Sequence, residues 1–129
     1  MPKRRNAGFT LIEAMVAVVI IGIIATIAWP MFDAQRQRSK RTDAARGLTL
    51  AAIEMERCAS DLGVYTDCDI TAASPESYYN ITAATTSDTF GLTATPVTTD
   101  ADCATMTLNH LGQKGYTGDA PTIKRCWAQ

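Results

Sequence analysis

A long uncharged apolar block near the N-terminus separates two polar regions of the chain. Residues 14–32 carry no charged side chain and are rich in alanine, valine and isoleucine. A helix of about 20 such residues, apolar on all sides, is long enough to cross the hydrocarbon core of a bilayer. The pattern therefore predicts a membrane-spanning helix. Glu13, at the start of this helix, is a carboxylate that needs a partner or water.

After this block the apolar positions become periodic, at spacings of three and four: Ala44, Ala45, Leu48, Ala51, Ala52 and Met55. The opposite face carries polar side chains, namely Arg46, Thr49, Glu54, Glu56 and Arg57. We therefore expect one long helix over about residues 9–58, whose second half packs on a small domain. Pro30 interrupts the hydrogen-bond ladder of this helix, so a bend or a locally melted turn is expected there, and Gly22 loosens the same half.

Beyond the helix, alternating segments predict short β-strands at residues 78–82, 89–95 and 105–109. Residues 111–116 are typical of a turn followed by a returning strand. Three or four short antiparallel strands are not stable without a covering element. The predicted fold class is therefore α+β, with the long N-terminal helix packed on a small antiparallel sheet of three to four strands.

The chain contains four cysteines, Cys58, Cys68, Cys103 and Cys126, and all of them lie beyond the apolar block. With His110 as the single histidine and no CxxC pair, a Cys/His zinc site of ordinary spacing cannot be built. An even cysteine count in a small exported domain indicates two disulfides, of which three connectivities are possible. We favour Cys58–Cys68 and Cys103–Cys126, because both close short local loops; four reduced thiols in a cytosolic protein are the alternative.

The net charge of -1 gives no argument for nucleic-acid binding, but the charges are unevenly distributed. Bases open the chain and follow the apolar block: Lys3, Arg4, Arg5, Arg36, Arg38, Lys40, Arg41 and Arg46. From residue 60 onward, acidic residues outnumber basic ones. The basic residues at 36–46 fit a collar beside anionic lipid head groups, with a solvated helix face as the alternative.

Candidate catalytic chemistry is sparse. His110 stands alone in a predicted surface turn without a serine or cysteine partner, and no glycine-rich phosphate loop occurs. Asp100 and Asp102, near Asp88, are oxygen donors of the kind that calcium binds, but isolated loop carboxylates are usually solvated. We therefore expect a protein that is not an enzyme, with no metal and no cofactor.

The segment Gly8-Phe9-Thr10-Leu11-Ile12-Glu13 follows a short basic leader and precedes the uncharged run. This arrangement closely resembles the prepilin motif of type IV pilins and of type II secretion pseudopilins. The resemblance implies that a prepilin peptidase cuts between Gly8 and Phe9 and N-methylates the new Phe9 amine. It also implies that Glu13 pairs with the Phe9 amine of a neighbouring subunit during assembly.

The domain organisation implied by this resemblance has three parts. Residues 1–8 are a cleaved leader. Residues 9–32 form the transmembrane and filament-core half of the helix. Residues 33–129 form the exported head, which includes the amphipathic half of the helix.

The C-terminal sequences CATMTLNHLGQKGYTG and KRCWAQ resemble small minor pilins of Pseudomonas-type type IVa pili, in which the last two cysteines bridge a distal loop. The implied function is a structural subunit that polymerises into, or primes, a type IV pilus used for twitching motility or adhesion. The implied partners are other pilin subunits, the prepilin peptidase and the assembly platform. The implied location is the inner membrane of a Gram-negative bacterium and then the pilus.

Two alternatives to the pilus subunit stay open. A type II secretion pseudopilin shares the N-terminal features and differs in building a short periplasmic pseudopilus. A DNA-uptake pilin needs a basic stripe on its head, against which the acidic balance beyond residue 60 argues. We therefore expect no nucleic-acid partner.

Overall fold

The computed structural model describes residues 9–127. Its elements follow in the order α1 (Leu11–Leu62), β1 (Tyr79–Thr85), β2 (Phe90–Pro96), β3 (Thr105–Asn109), β4 (Lys114–Thr117) and α2 (Ile123–Trp127). The chain forms two compact units, the first ending at Arg36 and the second beginning at Gln37. The α+β class, with a long N-terminal helix and a four-stranded antiparallel sheet, is confirmed.

The helix α1 begins two residues after the predicted start and ends four residues beyond the predicted end, at Leu62. Pro30 lies inside it, and the helix is continuous on both sides of this residue, so no turn is melted there. The bend expected at Pro30 and Gly22 stays a prediction. Every described residue from 9 to 36 is exposed to solvent, in agreement with an apolar segment that has no internal partner.

The sheet is an antiparallel meander with the strand order β1-β2-β3-β4. Ile81 pairs with Ala94, Leu92 with Leu108, and Met106 with Tyr116. These pairs lie on the face that contributes to the core, because side chains alternate between the two faces of a strand. The predicted strands therefore exist: β3 has the predicted bounds, whereas the ends of β1 and β2 are shifted, and the turn over residues 111–113 leads into β4.

One side of α1 covers this sheet within the second unit. The buried apolar residues of α1 recur at the predicted helical spacing: Ala44, Leu48, Ala51 and Met55. They join one cluster with sheet residues, of which Leu92, Ala94 and Met106 are at most 1% exposed. Gly47 allows close contact, because a Cβ at this position would lie 2.6 Å from Ile81 Cδ1 and 3.0 Å from Ser74 Cα.

Both favoured disulfides are formed in the structure. Cys58 and Cys68 join the end of α1 to the following connector, with the sulfur atoms 1.98 Å apart. Cys103 and Cys126 join the segment before β3 to α2, with a distance of 2.02 Å. The sequence did not predict α2, because five residues are too few to show a helical period.

Candidate functional site

The N-terminal half of α1 exposes a continuous apolar surface. Its large side chains are at least half exposed, among them Ile20, Ile24, Ile27, Trp29 and Phe32. By length and composition, α1 is able to cross a membrane. Exposed apolar surface is unfavourable in water, so soluble monomers rarely expose patches beyond about a few hundred Å². This segment therefore needs lipid or other protein chains around it.

The start of α1 carries a helix cap that the sequence analysis did not identify. The Thr10 hydroxyl oxygen accepts a hydrogen bond from the Glu13 backbone N–H at 3.3 Å. The spacing Thr-x-x-Glu is the signature of a capping box, and this signal was present in the sequence. Thr10 therefore caps the start of the helix, in addition to any role in processing.

Glu13 lies in the first turn of α1, where the helix dipole favours a negative charge. Both Glu13 and Phe9 are exposed, and Phe9 is 83% accessible. Within residues 9–127, no basic side chain forms an ion pair with Glu13. Gly8, on the other side of the predicted cleavage bond, lies outside the described residues. The carboxylate of Glu13 is therefore accessible to a cation from another molecule.

A buried ion-pair cluster organises the second unit. Arg41, expected in an exposed basic collar, is only 6% exposed, which corrects that interpretation. Its Nε donates to Asp100 Oδ2 at 2.7 Å, and its Nη2 donates to Asp100 Oδ1 at 2.8 Å. The physical reason is helical spacing, since Arg41 precedes Ala44 by three residues and Leu48 by seven and so shares their buried face.

The same cluster reaches the C-terminal helix. Asp102 Oδ2 lies 3.3 Å from Arg41 Nη2 and 3.1 Å from Arg125 Nη2. Arg41 Nη1 also donates to the Arg125 carbonyl oxygen at 3.4 Å. Asp100 Oδ1 accepts the backbone N–H of Cys103 at 3.3 Å. The ion pairs and the disulfide of Cys103 therefore hold α1, the β2–β3 loop and α2 together.

The protonation of this cluster follows from its contacts. Burial by itself raises the pKa of Asp100, but hydrogen bonds from Arg41 and Gln37 outweigh it and hold that pKa below its usual value. The hydrogen bond to Asp100 raises the pKa of Arg41, against the opposing effect of burial. Both groups are therefore charged at neutral pH, as a bidentate arginine–carboxylate pair requires.

The carboxylates considered for calcium are already engaged in other contacts. Asp100 and Asp102 bind guanidinium groups, and Asp88 accepts a hydrogen bond from the Ser87 hydroxyl at 3.1 Å. In the part of the chain that the structure describes, no group of three or more histidine, cysteine, aspartate or glutamate residues is placed to hold a metal ion. His110 directly follows β3, and the centre of its ring lies 6.3 Å from the centre of the Phe90 ring in an edge-on arrangement.

A second buried carboxylate fixes the connector that precedes β1. Asp43 accepts a hydrogen bond from the Ser74 hydroxyl and another, at 2.9 Å, from the Glu76 backbone N–H. The Ser74 hydroxyl oxygen in turn accepts the Tyr79 backbone N–H at 3.0 Å. Sequence reasoning missed Asp43, although it lies one residue before Ala44 on the buried side of α1.

Comparison with protein families matches two parts of the chain. Residues 3–29 match the prokaryotic N-terminal methylation motif. Residues 30–107, more than half of the chain, match the family described as "Type IV minor pilin ComP, DNA uptake sequence receptor". The chain therefore belongs to the type IV pilins, and within them to the minor-pilin family that this description names.

Solved structures support the same assignment. A type IV pilin from Shewanella oneidensis is 32% identical, with a TM-score of 0.53, over 71% of this chain and 98% of that one. The non-core minor pilin PilV of Neisseria meningitidis is 25% identical, with a TM-score of 0.58, over 72% of this chain and 95% of that one.

Curated relatives match at most about half of this chain. The type IV major pilin protein PilA of Myxococcus xanthus is 43% identical over 63 residues, which are 49% of this chain and 29% of that protein. The type II secretion system core protein G of Pseudomonas aeruginosa is 40% identical over 65 residues, which are 50% of this chain and 41% of that protein. The chain thus spans less than half the length of these relatives.

Proposed function

We propose that this chain is a structural subunit of a type IV pilus, incorporated as a minor pilin. The observation that carries the proposal is the exposed, uncharged helical surface of residues 14–32. Lipid covers this surface in a membrane-anchored subunit, and the helices of other pilin subunits cover it in a filament. Burial of apolar surface favours both environments, so transfer between them has a small hydrophobic cost.

Processing precedes assembly in this proposal. A prepilin peptidase in the inner membrane of a Gram-negative bacterium cuts between Gly8 and Phe9 and methylates the Phe9 amine. The match of residues 3–29 to the N-terminal methylation motif supports this step. The pilus assembly platform then moves the mature chain, beginning at Phe9, from the membrane into the pilus.

Glu13 sets the register of assembly in this proposal. Its carboxylate pairs with the Phe9 amine of a neighbouring subunit, so two charges are neutralised inside an apolar filament core. A charge transferred there without a partner costs several kcal/mol. The proposal is supported by the exposure of Glu13 and by the absence of an ion-pair partner for it within residues 9–127.

The test compares Glu13→Gln with the wild type in membrane and sheared-pilus fractions. Asp33→Asn is the matched control, because Asp33 is also an exposed carboxylate of α1 but lies outside the uncharged run. We expect Glu13→Gln to be cleaved and retained in the membrane but lost from pili, since an unpaired buried amine costs about 3–5 kcal/mol. Asp33→Asn should assemble normally.

Three results contradict the proposal. Normal incorporation of Glu13→Gln into pili shows that assembly does not need the carboxylate. Mass spectrometry of wild-type pili that finds an N-terminus at Met1, or an unmethylated Phe9, removes the processing step. A wild-type chain that is absent from sheared pili and required for protein secretion instead identifies a pseudopilin, the alternative that the match to core protein G supports.

A second candidate function is DNA binding by the head, which the family description favours. The acidic balance beyond residue 60 argues against it, but three bases lie on or next to the C-terminal helix. Lys124 and Arg125 are exposed on α2, and Lys114 Nζ lies 5.1 Å from the centre of the Trp127 ring. Positive side chains clustered on one surface are the electrostatic footprint of a nucleic-acid site.

The binding of duplex DNA to the full chain in detergent tests this second function. If DNA binds here, Lys114→Gln and Lys124→Gln each weaken binding and reduce its salt dependence by about one phosphate contact. Arg57→Gln is the matched control, because Arg57 is an exposed base of α1. Equal affinity in all variants excludes this surface as the DNA site.

A further inference from the structure

The two disulfides differ in their access to solvent. Cys103 and Cys126 are both fully buried and belong to the core cluster. Cys58 and Cys68 are only partly buried, at the end of α1 and in the connector that follows it. Thiol–disulfide exchange requires that a thiolate reach a sulfur atom along the S–S axis, so access controls its rate. Only the Cys58–Cys68 pair offers access without opening the core.

The chain around each disulfide is also held to different degrees. Near Cys126, Arg125 is bound through Asp102, and the Trp127 Nε1–H donates to the Gly115 carbonyl oxygen at 2.9 Å. Near Cys103, Asp100 binds both Arg41 and the Cys103 backbone. The segment around Cys103 and Cys126 therefore keeps several non-covalent anchors that do not depend on the S–S bond.

The connector over residues 63–70 has fewer anchors, and most of them involve Tyr65. The Tyr65 ring packs edge-on against the Phe90 ring, with the ring centres 5.1 Å apart. The Tyr65 hydroxyl donates a hydrogen bond to Glu56 Oε2 at 3.1 Å. The Tyr65 backbone N–H donates to the Ser87 carbonyl oxygen at 3.2 Å. Tyr65, Cys68 and Ile70 are only partly buried against the core. Local opening of such a weakly packed segment costs less than global unfolding.

We propose that Cys58–Cys68 is a thiol-exchange site, which an external dithiol opens before Cys103–Cys126, and that opening it releases residues 63–70 while the sheet stays folded. One thiolate of the dithiol attacks the sulfur of Cys58 or Cys68, the S–S bond breaks, and the other cysteine leaves as a thiolate and takes a proton. The second thiol of the reagent then displaces the first cysteine and forms the reagent's own disulfide. Two electrons pass from the dithiol to the protein, and the head has a redox-sensitive segment.

The experiment treats the full chain in detergent with dithiothreitol for increasing times, alkylates free thiols and maps the labelled peptides. We expect Cys58 and Cys68 to be labelled about tenfold or more faster than Cys103 and Cys126, because only the first pair is accessible in the folded state. Hydrogen exchange measured on the same samples should rise in residues 63–70 and stay unchanged in β3.

Matched double variants separate local from global opening. The Cys58→Ser/Cys68→Ser variant should keep the hydrogen-exchange protection of β3, and its remaining disulfide should resist dithiothreitol for as long as in the wild type. The Cys103→Ser/Cys126→Ser variant should lose its remaining disulfide at the wild-type rate. If this second variant fails to fold, the order in which the wild-type cysteines are labelled still shows which disulfide opens first.

Three outcomes overturn the proposal. In the first, Cys103 and Cys126 are labelled as fast as Cys58 and Cys68, or faster. In the second, β3 loses its protection as soon as Cys58–Cys68 opens, so that no local state exists. In the third, residues 63–70 keep their protection after reduction, so that the bond does not restrain the connector.

Discussion

The two halves of α1 belong to one helix, but the apolar side chains of the first half are exposed and those of the second half are buried. Residues 14–32 are uncharged and exposed along the whole segment, whereas Ala44, Leu48 and Met55 are fully buried under the sheet. The second unit supplies its own covering for its apolar side chains. The first unit has none, so its covering comes from lipid or from other subunits. An apolar pattern alone therefore indicates that a helix face is buried. It does not show whether the same chain, another chain or lipid covers that face.

Charged groups show the same difference between the two units. Arg41 is buried, and its partners Asp100 and Asp102 belong to the same unit. Glu13 is exposed, and no partner for it lies within residues 9–127. A buried charge is tolerated only with a partner. The second unit therefore contains the partners of its own buried charge, whereas Glu13 is costly in any apolar environment unless another chain pairs with it.

The largest loss of stability is expected from Arg41→Met, in the second unit. The substitution leaves the Asp100 carboxylate buried and unpaired, so the head should lose about 3–5 kcal/mol of stability. Arg38→Met is the control, because Arg38 is exposed one turn earlier on α1 and should change stability by less than about 0.5 kcal/mol. Urea unfolding of the full chain in detergent, followed by near-ultraviolet circular dichroism, measures both. Equal stability of the two variants contradicts a structural role for the cluster.

Two glycine-to-alanine substitutions, one in each unit, should have intermediate effects on stability. Gly47→Ala places a methyl group against Ile81 and the Ser74 backbone, so overpacking should cost about 1–3 kcal/mol. Gly22→Ala has nothing within 4 Å of the added Cβ and should instead favour the helix by about 0.5–1 kcal/mol. Helix content and thermal unfolding in detergent check the two signs. A stabilised Gly47→Ala head shows that the contact between α1 and the sheet is looser than described.

The smallest effect concerns acid stability. The folded pKa of Asp100 is held below its ordinary value of 3.8, so its ion pair contributes stability that is fully present above that value. This contribution is lost as the pH falls through the folded pKa. The melting temperature of the head should therefore fall between pH 5 and pH 2, and it should fall less in Asp100→Asn. Identical pH profiles of the wild type and Asp100→Asn indicate that other carboxylates control acid unfolding.

The parts of the fold that the sequence predicted correctly are those with a local signal. The apolar stripe at residues 44–55 has the period of a helix, and the alternation at 105–109 has the period of a strand. Both periods are recognisable in the sequence without knowing which element packs against these residues. The helix α2 was missed because five residues carry no period. Arg41 was placed wrongly, since an arginine after an apolar block is usually solvated and its carboxylate partner lies 59 residues away.

Of the candidate site, the motif from Gly8 to Glu13 was visible in the sequence, and the methylation-motif match covers it. The capping role of Thr10 was present in the same residues but was not identified. The buried pairs of Asp43 with Ser74 and of Arg41 with Asp100 were not predictable, because they join residues 31 and 59 positions apart. Such pairs form only after the helix and the sheet have met.

The sequence by itself determined the membrane-length helix, the α+β class and the pilin motif, because each depends on residues that are near one another in the chain. Tertiary structure alone decided which charged residues are buried, which disulfide is open to solvent and where α2 packs. These properties depend on what covers a residue from a distant part of the chain. Helical and strand periods place a side chain on a face, and only packing determines what that face meets.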